Sequence, residues 1–471
     1  MYTLRMPFMR LYVVNSPALV QKVQRQTRKL SFTPILAQMT SSVTGVSAAG
    51  DLAGDPLGAH SFVHGLTNKI RGGVNPGPKL DALNRSSVEV IAQSLGRLGR
   101  KHGKVPFRVD MRDWVYHEVM MATTEGIYGP KNPFRETEMR KAFPTYEQGF
   151  LKLMMNILPK WTSPESVRAR SVLEQGYLRY FHQDGHSDPE SSDLIKSKYE
   201  FCKESGLSDF DTARMEVLAA IALLSNTMPA TFWLAFHLYS DPELLQACRD
   251  ELEQAVIIHE GGVRSIDMAC VKSRCPLLLS TFQEVLRYYA VGVSSRRVIE
   301  DTIIEDPDNE RKSYLVKKGG IIFIPGAAHH KLRSAWGEYA DQFVARRFVP
   351  GDKSGGVAGG KNGRTYDAAA FRAFGGGATL CPGRHFVSTE ILAFAAFIVL
   401  RFDAHVTTGA GKGKGEWTPP STEKTAPAAT IRQPDYGFEI ELCGRDEFEW
   451  SVQFSESDKP MPVSVEDMGR E

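Results

Sequence analysis

The chain has 471 residues, 42% of them hydrophobic and 24% charged, with a mean hydropathy of −0.26. That length suits one large domain or up to about three average ones, and that composition excludes a mainly disordered chain. With 57 basic against 55 acidic residues the formal charge is +2, so net charge implies no nucleic-acid partner. The six cysteines, Cys202, Cys248, Cys270, Cys275, Cys381 and Cys443, are sparse and form neither a CxxC pair nor zinc-finger spacing. An intracellular, reduced protein is the simplest reading.

The first twenty residues, MYTLRMPFMRLYVVNSPALV, mix charges and prolines into an alternating pattern. They match neither a signal peptide nor a membrane span. No anchor is expected at this start, and the abrupt opening inside a strand pattern points to missing sequence upstream. Residues 2–14 predict two short strands with a tight turn. Asn15-Ser16-Pro17 then caps a helix over Ala18–Lys29. Residues 38–60, rich in Ser, Gly, Thr and Ala, predict a loop. Helical patterns follow at 61–71, 79–99 and 109–127. Arg100–Lys104 is a basic loop, and Arg97, Arg100, Lys101 and Lys104 form a solvated face.

Further helical patterns cover 133–158, 164–182 and 190–203. Ser208 and Asp209 signal the start of one long apolar helix, Thr212–Tyr239. Its length would span a bilayer, but Asn226, Thr227 and Pro229 interrupt it, so a buried central helix is expected. Another helix covers Glu243–His259, and a further one 276–290. Residues 291–324 read as strands, and 351–363 as a flexible loop. The tail is expected to pair strands at YGFEIELC and FEWSVQF. Mostly helical with strands gathered near both ends, the chain predicts a mainly α (α+β) unit.

Chemistry concentrates in Phe371–Glu390, FRAFGGGATLCPGRHFVSTE. The glycines let backbone approach a bulky flat object without Cβ clashes. Pro382 suits a helix start. Cys381, just before that helix, sits where amide dipoles favour a thiolate. The competing reading is a small buried hydrophobe. Glu284 and Arg287 share a helix face at i,i+3, and the segment DQFVARRF offers Arg347 to that pair. Pro229 frees a helix carbonyl beside Asn226 and Thr227. His329-His330, read on a strand, point to opposite faces and make no shared metal site.

Together these segments resemble the cytochrome P-450 family of haem-thiolate enzymes. Its haem loop, Phe-x-x-Gly-x-Arg-x-Cys-x-Gly, is matched by Phe374, Gly377, Cys381 and Gly383. Its Glu-x-x-Arg helix is matched by Glu284 and Arg287, and its meander by FVARRF with Arg347. The finer likeness is to the branch with sterol 7-alpha-hydroxylases and prostacyclin synthase. Thr379 replaces the usual propionate-binding Arg or His. Arg296 matches a propionate-binding arginine of the following strand, with Arg297 a close rival. The early Trp-x-x-x-Arg is missing, since Glu118 stands four residues after Trp114. Asn226 replaces the usual acidic residue, with Thr227 retained.

The resemblance implies a single P-450 domain over 1–471: a helical bundle with small β-sheets around a buried haem b. It implies Cys381 as axial ligand, with Phe374, Gly377, Gly383, Arg296 and Thr379 around the haem. Thr227 and Asn226 become the catalytic pair on the oxygen side, while Glu284, Arg287 and Arg347 are structural. The implied reaction is oxidation of a bulky lipophile by O2, with electrons from NADPH through a P-450 reductase. The sterol likeness favours a sterol, terpenoid or other secondary metabolite, with Val291–Ser294 and Ser225–Thr231 lining its pocket. Two alternatives stay open: an isomerase of prostacyclin-synthase type needing no external electrons, and a haem-binding sensor. A native chain carrying an anchor would lie on the cytoplasmic face of the endoplasmic reticulum.

Overall fold

The computed structural model describes all residues except 8, 46–60, 308, 310, 353–365, 408–414, 456–460, 462, 465, 466 and 468–471. Most of the expected loop 351–363 and most of 38–60 therefore lie outside the described residues. Within 38–60, residues 38–44 are helical, part of Thr33–Thr44. The helix starts upstream on Ile35, Leu36 and Ala37 and continues through the Ser- and Thr-rich stretch, where the Thr40 and Thr44 hydroxyls donate to the Leu36 and Thr40 carbonyls at 2.9 and 2.7 Å.

Four helices form the centre: Pro78–His102, Met111–Tyr128, Thr227–Ser240 and Arg384–Arg401. The last, called the cysteine helix below, is buried at every residue except Val387. Its stretch Ile391–Leu400 is wholly apolar because every face there meets protein. Its one buried carboxyl, Glu390, is met by Thr123 Oγ1 at 2.8 and 2.9 Å from its two oxygens. Burial pushes that carboxyl up to about 8.

The long apolar helix is in fact two, Asp209–Leu224 and Thr227–Ser240, broken at Ser225-Asn226. Pro229 has no amide proton for the Ser225 carbonyl, four residues back. Gln433 Nε2 approaches that carbonyl instead, at 3.5 Å. By length and hydropathy 209–240 is a candidate span, but it is mostly buried in the protein.

Strands gather into small sheets. The largest has the order Tyr2–Met6, Met9–Val13, Ile321–Pro325, Val293–Val298 and Leu30–Ser31. Met9–Val13 runs parallel to Ile321–Pro325, with Tyr12 opposite Ile322. The tail strands, expected to pair with each other, belong to different sheets. Glu439–Gly444 lies between Phe402–Val406 and Phe107–Asp110, whereas Trp450–Gln453 runs parallel to Arg264–Asp267. Their local patterns are strand-like, but partner choice was set by chain segments far away.

Several boundaries also moved. The helix begun at Pro17 stops at Arg25, capped by Ser16. Pro78–His102 runs into the expected basic loop, although Arg97, Arg100, Lys101 and Lys104 are exposed as expected. Pro242–Glu253 ends early and gives way to the strand Val256–Ile258. The 133–158 pattern resolves into Thr137–Gln148 and Phe150–Met155.

Candidate active site around Cys381

Cys381 stands at the end of a closed loop. Its amide donates to the Phe374 carbonyl at 2.9 Å, and Leu380 N donates to Gly377 O at 3.1 Å. Two glycines in this loop need positive φ, Gly375 at +77° and Gly377 at +57°. Crowding adds to that at Gly375 and Gly376. A Cβ on Gly375 would lie 2.7 Å from the Thr379 carbonyl, and one on Gly376 would lie 2.5 Å from Arg372 and Gln24 nitrogens. Beside Gly383, by contrast, a Cβ would meet nothing within 4 Å.

The cysteine's electrostatics run against the expectation from the helix start. Burial raises the thiol, outweighing the Gly383 and Arg384 amides and the Arg384 charge that favour the anion. The aligned donors suit a sulfur that a bound cation has already deprotonated.

Arg384 is itself held by the chain's tail. Asp467 accepts from Arg384 Nε at 2.9 Å and Nη2 at 2.7 Å, and from Ser464 Oγ at 2.7 Å. Burial opposes ionisation of Asp467, yet Arg384 and Ser464 hold its carboxyl below the usual range. This clamp joins residues 83 apart in sequence, and no local pattern announced it.

Arg296 is the most informative basic group nearby. It is 1% exposed, and its Nη2 donates to Thr379 Oγ1 at 2.8 Å and reaches Gly376 O at 3.4 Å. It forms no ion pair among the described residues. Burial and the neighbouring Arg372 charge push it down to about 10. A buried cation beside a second cation is costly unless an anion joins them. Strand alternation turns Arg297 the other way, where it donates to Gly319 O at 3.2 Å. Arg372 and Gln24, against Gly376, and Arg71, whose Nη2 is 3.4 Å from Ala378 O, were not singled out in the sequence. Arg372 sits only two residues before Phe374, but nothing in the spacing marked it.

Glu284, Arg287 and Arg347 meet as a buried triad. Arg287 donates to both carboxylate oxygens at 2.7 and 2.8 Å, and Arg347 Nε does so at 3.1 and 3.0 Å. The remaining guanidinium donors go to carbonyls, including His330 O at 2.7 Å, Ala340 O at 2.6 Å and Tyr339 O at 2.7 Å. Val344 N closes the set on Glu284 at 2.8 Å. Arg287 and Arg347 thereby pin the segment 336–344 to the helix Pro276–Tyr289.

Thr227 is buried and its Oγ1 donates to Leu223 O at 2.7 Å. Its oxygen can still accept. The Asn226 carbonyl oxygen is committed to Thr430 N at 2.6 Å, Thr430 Oγ1 at 3.0 Å and Ile431 N at 3.2 Å. Thr430 O in turn takes Val291 N at 2.7 Å. The two expected pocket segments are thus joined through Thr430, which the sequence did not flag. His329 and His330 lie in a short helix, Gly326–His330, and not in a strand. His329 Nε2 is 3.0 Å from Val14 O, and His330 Nε2 accepts from Arg372 N at 2.7 Å. No metal-binding cluster of His, Cys, Asp or Glu occurs among the described residues.

Comparison with known proteins places the chain in a family. The family model Cytochrome P450 matches residues 1–416. Cytochrome P450 monooxygenase nodJ of Hypoxylon pulicicidum is 37% identical over 477 residues, spanning 98% of this chain and 87% of that protein. Cholesterol 7-alpha-monooxygenase of Cricetulus griseus is 26% identical over 56% of this chain and 51% of its own length. Retinoic acid bound cyanobacterial CYP120A1 has the same fold, with a TM-score of 0.68 at 18% identity over 94% of this chain and 91% of that one. The chain belongs to the cytochrome P450 family and is an oxidoreductase of the monooxygenase type.

Proposed function

We infer that this chain is a haem-thiolate monooxygenase that adds one oxygen atom from O2 to a bulky lipophile, with electrons from NADPH passed by a flavoprotein reductase. The observation that carries the reading is the buried, anion-less Arg296 beside a glycine-lined loop ending in Cys381. That combination fits a flat group with a cationic centre and acidic edges, as haem b is. Bound there, haem supplies the oxygen activation, favoured by a thiolate ligand.

In this reading Cys381 ligates the iron, and the Gly383 and Arg384 amides hold the sulfur's charge. Phe374, Gly377 and Gly383 shape the loop, while Arg296 with Thr379 meets a propionate. Thr227 offers a hydroxyl oxygen on the opposite side for a water or proton. Asn226 acts as a positioning residue, because its carbonyl anchors Thr430 and leaves only its NH2 group for water. We read residues 1–471 as one domain, supported by a main core that joins helices from both halves of the chain.

The name of nodJ supports the monooxygenase reading, and the weaker cholesterol 7-alpha-monooxygenase match favours a sterol, terpenoid or other secondary metabolite as substrate. The test compares product formation from candidate lipophiles and O2 with and without NADPH and reductase. A product one oxygen atom heavier, formed only with both, is expected. Efficient conversion to an isomer without NADPH would replace the monooxygenase with the isomerase alternative.

A membrane-surface location on the cytoplasmic face of the endoplasmic reticulum is part of the same proposal. Residues 151–161 expose Met155, Ile157, Leu158 and Trp161, the last 84% exposed, beside the exposed Lys152 and Lys160. Exposed apolar clusters with flanking lysines suit an interfacial, non-spanning contact. Trp161→Asp is expected to cut binding to anionic phospholipid vesicles about tenfold, on the order of the free energy of burying one aromatic side chain. Equal sedimentation of both proteins with the vesicles would remove the proposal.

A further inference from the structure

The cysteine helix carries a second feature at its far end. Eighteen residues at 1.5 Å each put Arg401 roughly 27 Å from the start of that helix, well away from Cys381. Arg401 is 5% exposed and lies on two glycines of Pro78–His102. A Cβ at Gly99 would sit 2.6 Å from Arg401 Nη2, and one at Gly96 would sit 4.0 Å from Nη1. The glycines thus make a notch for the guanidinium. Arg401 Nη1 is buried with no hydrogen-bond partner. Arg401 also lies on the wall of a polar cavity of about 500 Å³.

The cavity's other charges are largely spoken for. Asp446 accepts from Arg264 at 3.3 Å and from Trp450 Nε1 at 3.1 Å. Glu449 faces Arg100 at 4.0 Å. Lys101 and Glu447, both on the wall, have no charged partner among the described residues. The unmatched set is therefore two cations, Arg401 and Lys101, against one carboxylate. The carbonyls at the end of Pro78–His102 oppose an anion, and Arg100 and Lys101 on the last turn offset them.

A guanidinium with free in-plane donors recognises oxyanions in preference to other groups, because its planar fork matches two oxygens at once. Burial already lowers Arg401 to about 10, with Asp446 attracting and Arg100 repelling it. An entering anion would offset the desolvation of the guanidinium.

We propose that the cavity between residues 96–103, Arg401 and residues 446–450 is a binding site for a small oxyanion, phosphate or carboxylate, seated on the Arg401 guanidinium. It is separate from the haem site and needs no contact with it.

The test is calorimetric titration of the haem-loaded full chain with inorganic phosphate and, separately, acetate, with chloride at matched ionic strength as the reference. Saturable binding of phosphate or acetate, absent with chloride, is expected, and whichever of the two binds assigns the oxyanion. Arg401→Leu should weaken it roughly 10–100-fold, the span for losing hydrogen bonds to a charged group. The exposed Lys101→Ala should weaken it several-fold and keeps the test intact if the leucine variant fails to fold. Absence of saturable binding, meaning that the cavity holds water only, overturns the proposal. So does binding that neither substitution changes.

Discussion

Cys381→Ser is expected to abolish the reduced-CO absorption band that marks thiolate ligation in this family, while leaving the fold intact. Serine is close to cysteine in size, and the loop is closed by backbone bonds such as Cys381 N to Phe374 O that do not involve the side chain. Its hydroxyl cannot take the thiolate's place as an easily ionised, soft ligand. The measurement pairs the reduced-CO spectrum with far-UV circular dichroism. A retained band in the serine variant would remove Cys381 from the iron and with it the proposed function.

The second large effect belongs to Glu284. One carboxylate with no exposed surface serves two arginines that are each 1% exposed. Glu284→Ala leaves both guanidiniums buried without a counter-charge. Breaking a buried ionic group from one side typically costs about 3–5 kcal/mol, a large share of the roughly 5–15 kcal/mol that holds a protein folded. Urea denaturation should show that loss, or expression should yield no soluble protein. Glu284→Gln should recover little, because its NH2 group faces Arg donors that need an acceptor. A loss no larger than about 1 kcal/mol, as for a surface ion pair, would show that the carbonyl contacts hold the segment alone.

The parts of the site that could be read from the sequence are those whose chemistry is local. Glycines, a cysteine, and Glu284 with Arg287 on one helix turn declare themselves by spacing, and Arg347 followed once the meander resembled a known pattern. The strand face carrying Arg296 was legible too, but choosing it over Arg297 needed the sheet register. Arg372, Thr430 and Asp467 were missed for the same reason as the tail pairing: each acts across a long chain separation that no periodicity encodes. The break at Ser225-Asn226 was hinted at by Pro229, yet apolar content on both sides made one helix the simpler reading. Helix starts were more legible than ends. Ser16, Ser208 and Asp241 cap through their own side chains, whereas C-termini here depend on what the chain meets next.

The parallel pairing of Met9–Val13 with Ile321–Pro325 has a consequence for biosynthesis. Leu11 and its partner Ile321 are 310 positions apart (321 minus 11). At 5–20 residues per second, about 15–60 s pass between the synthesis of one strand and the other. During that interval the hairpin Tyr2–Val13 has no third strand, and an isolated hairpin is marginally stable in water. Tyr12 and Val13, both buried in the finished fold, remain unprotected meanwhile. Slowing translation in the second half of the message should therefore lengthen the time in which nascent chains are open to chaperones or to aggregation.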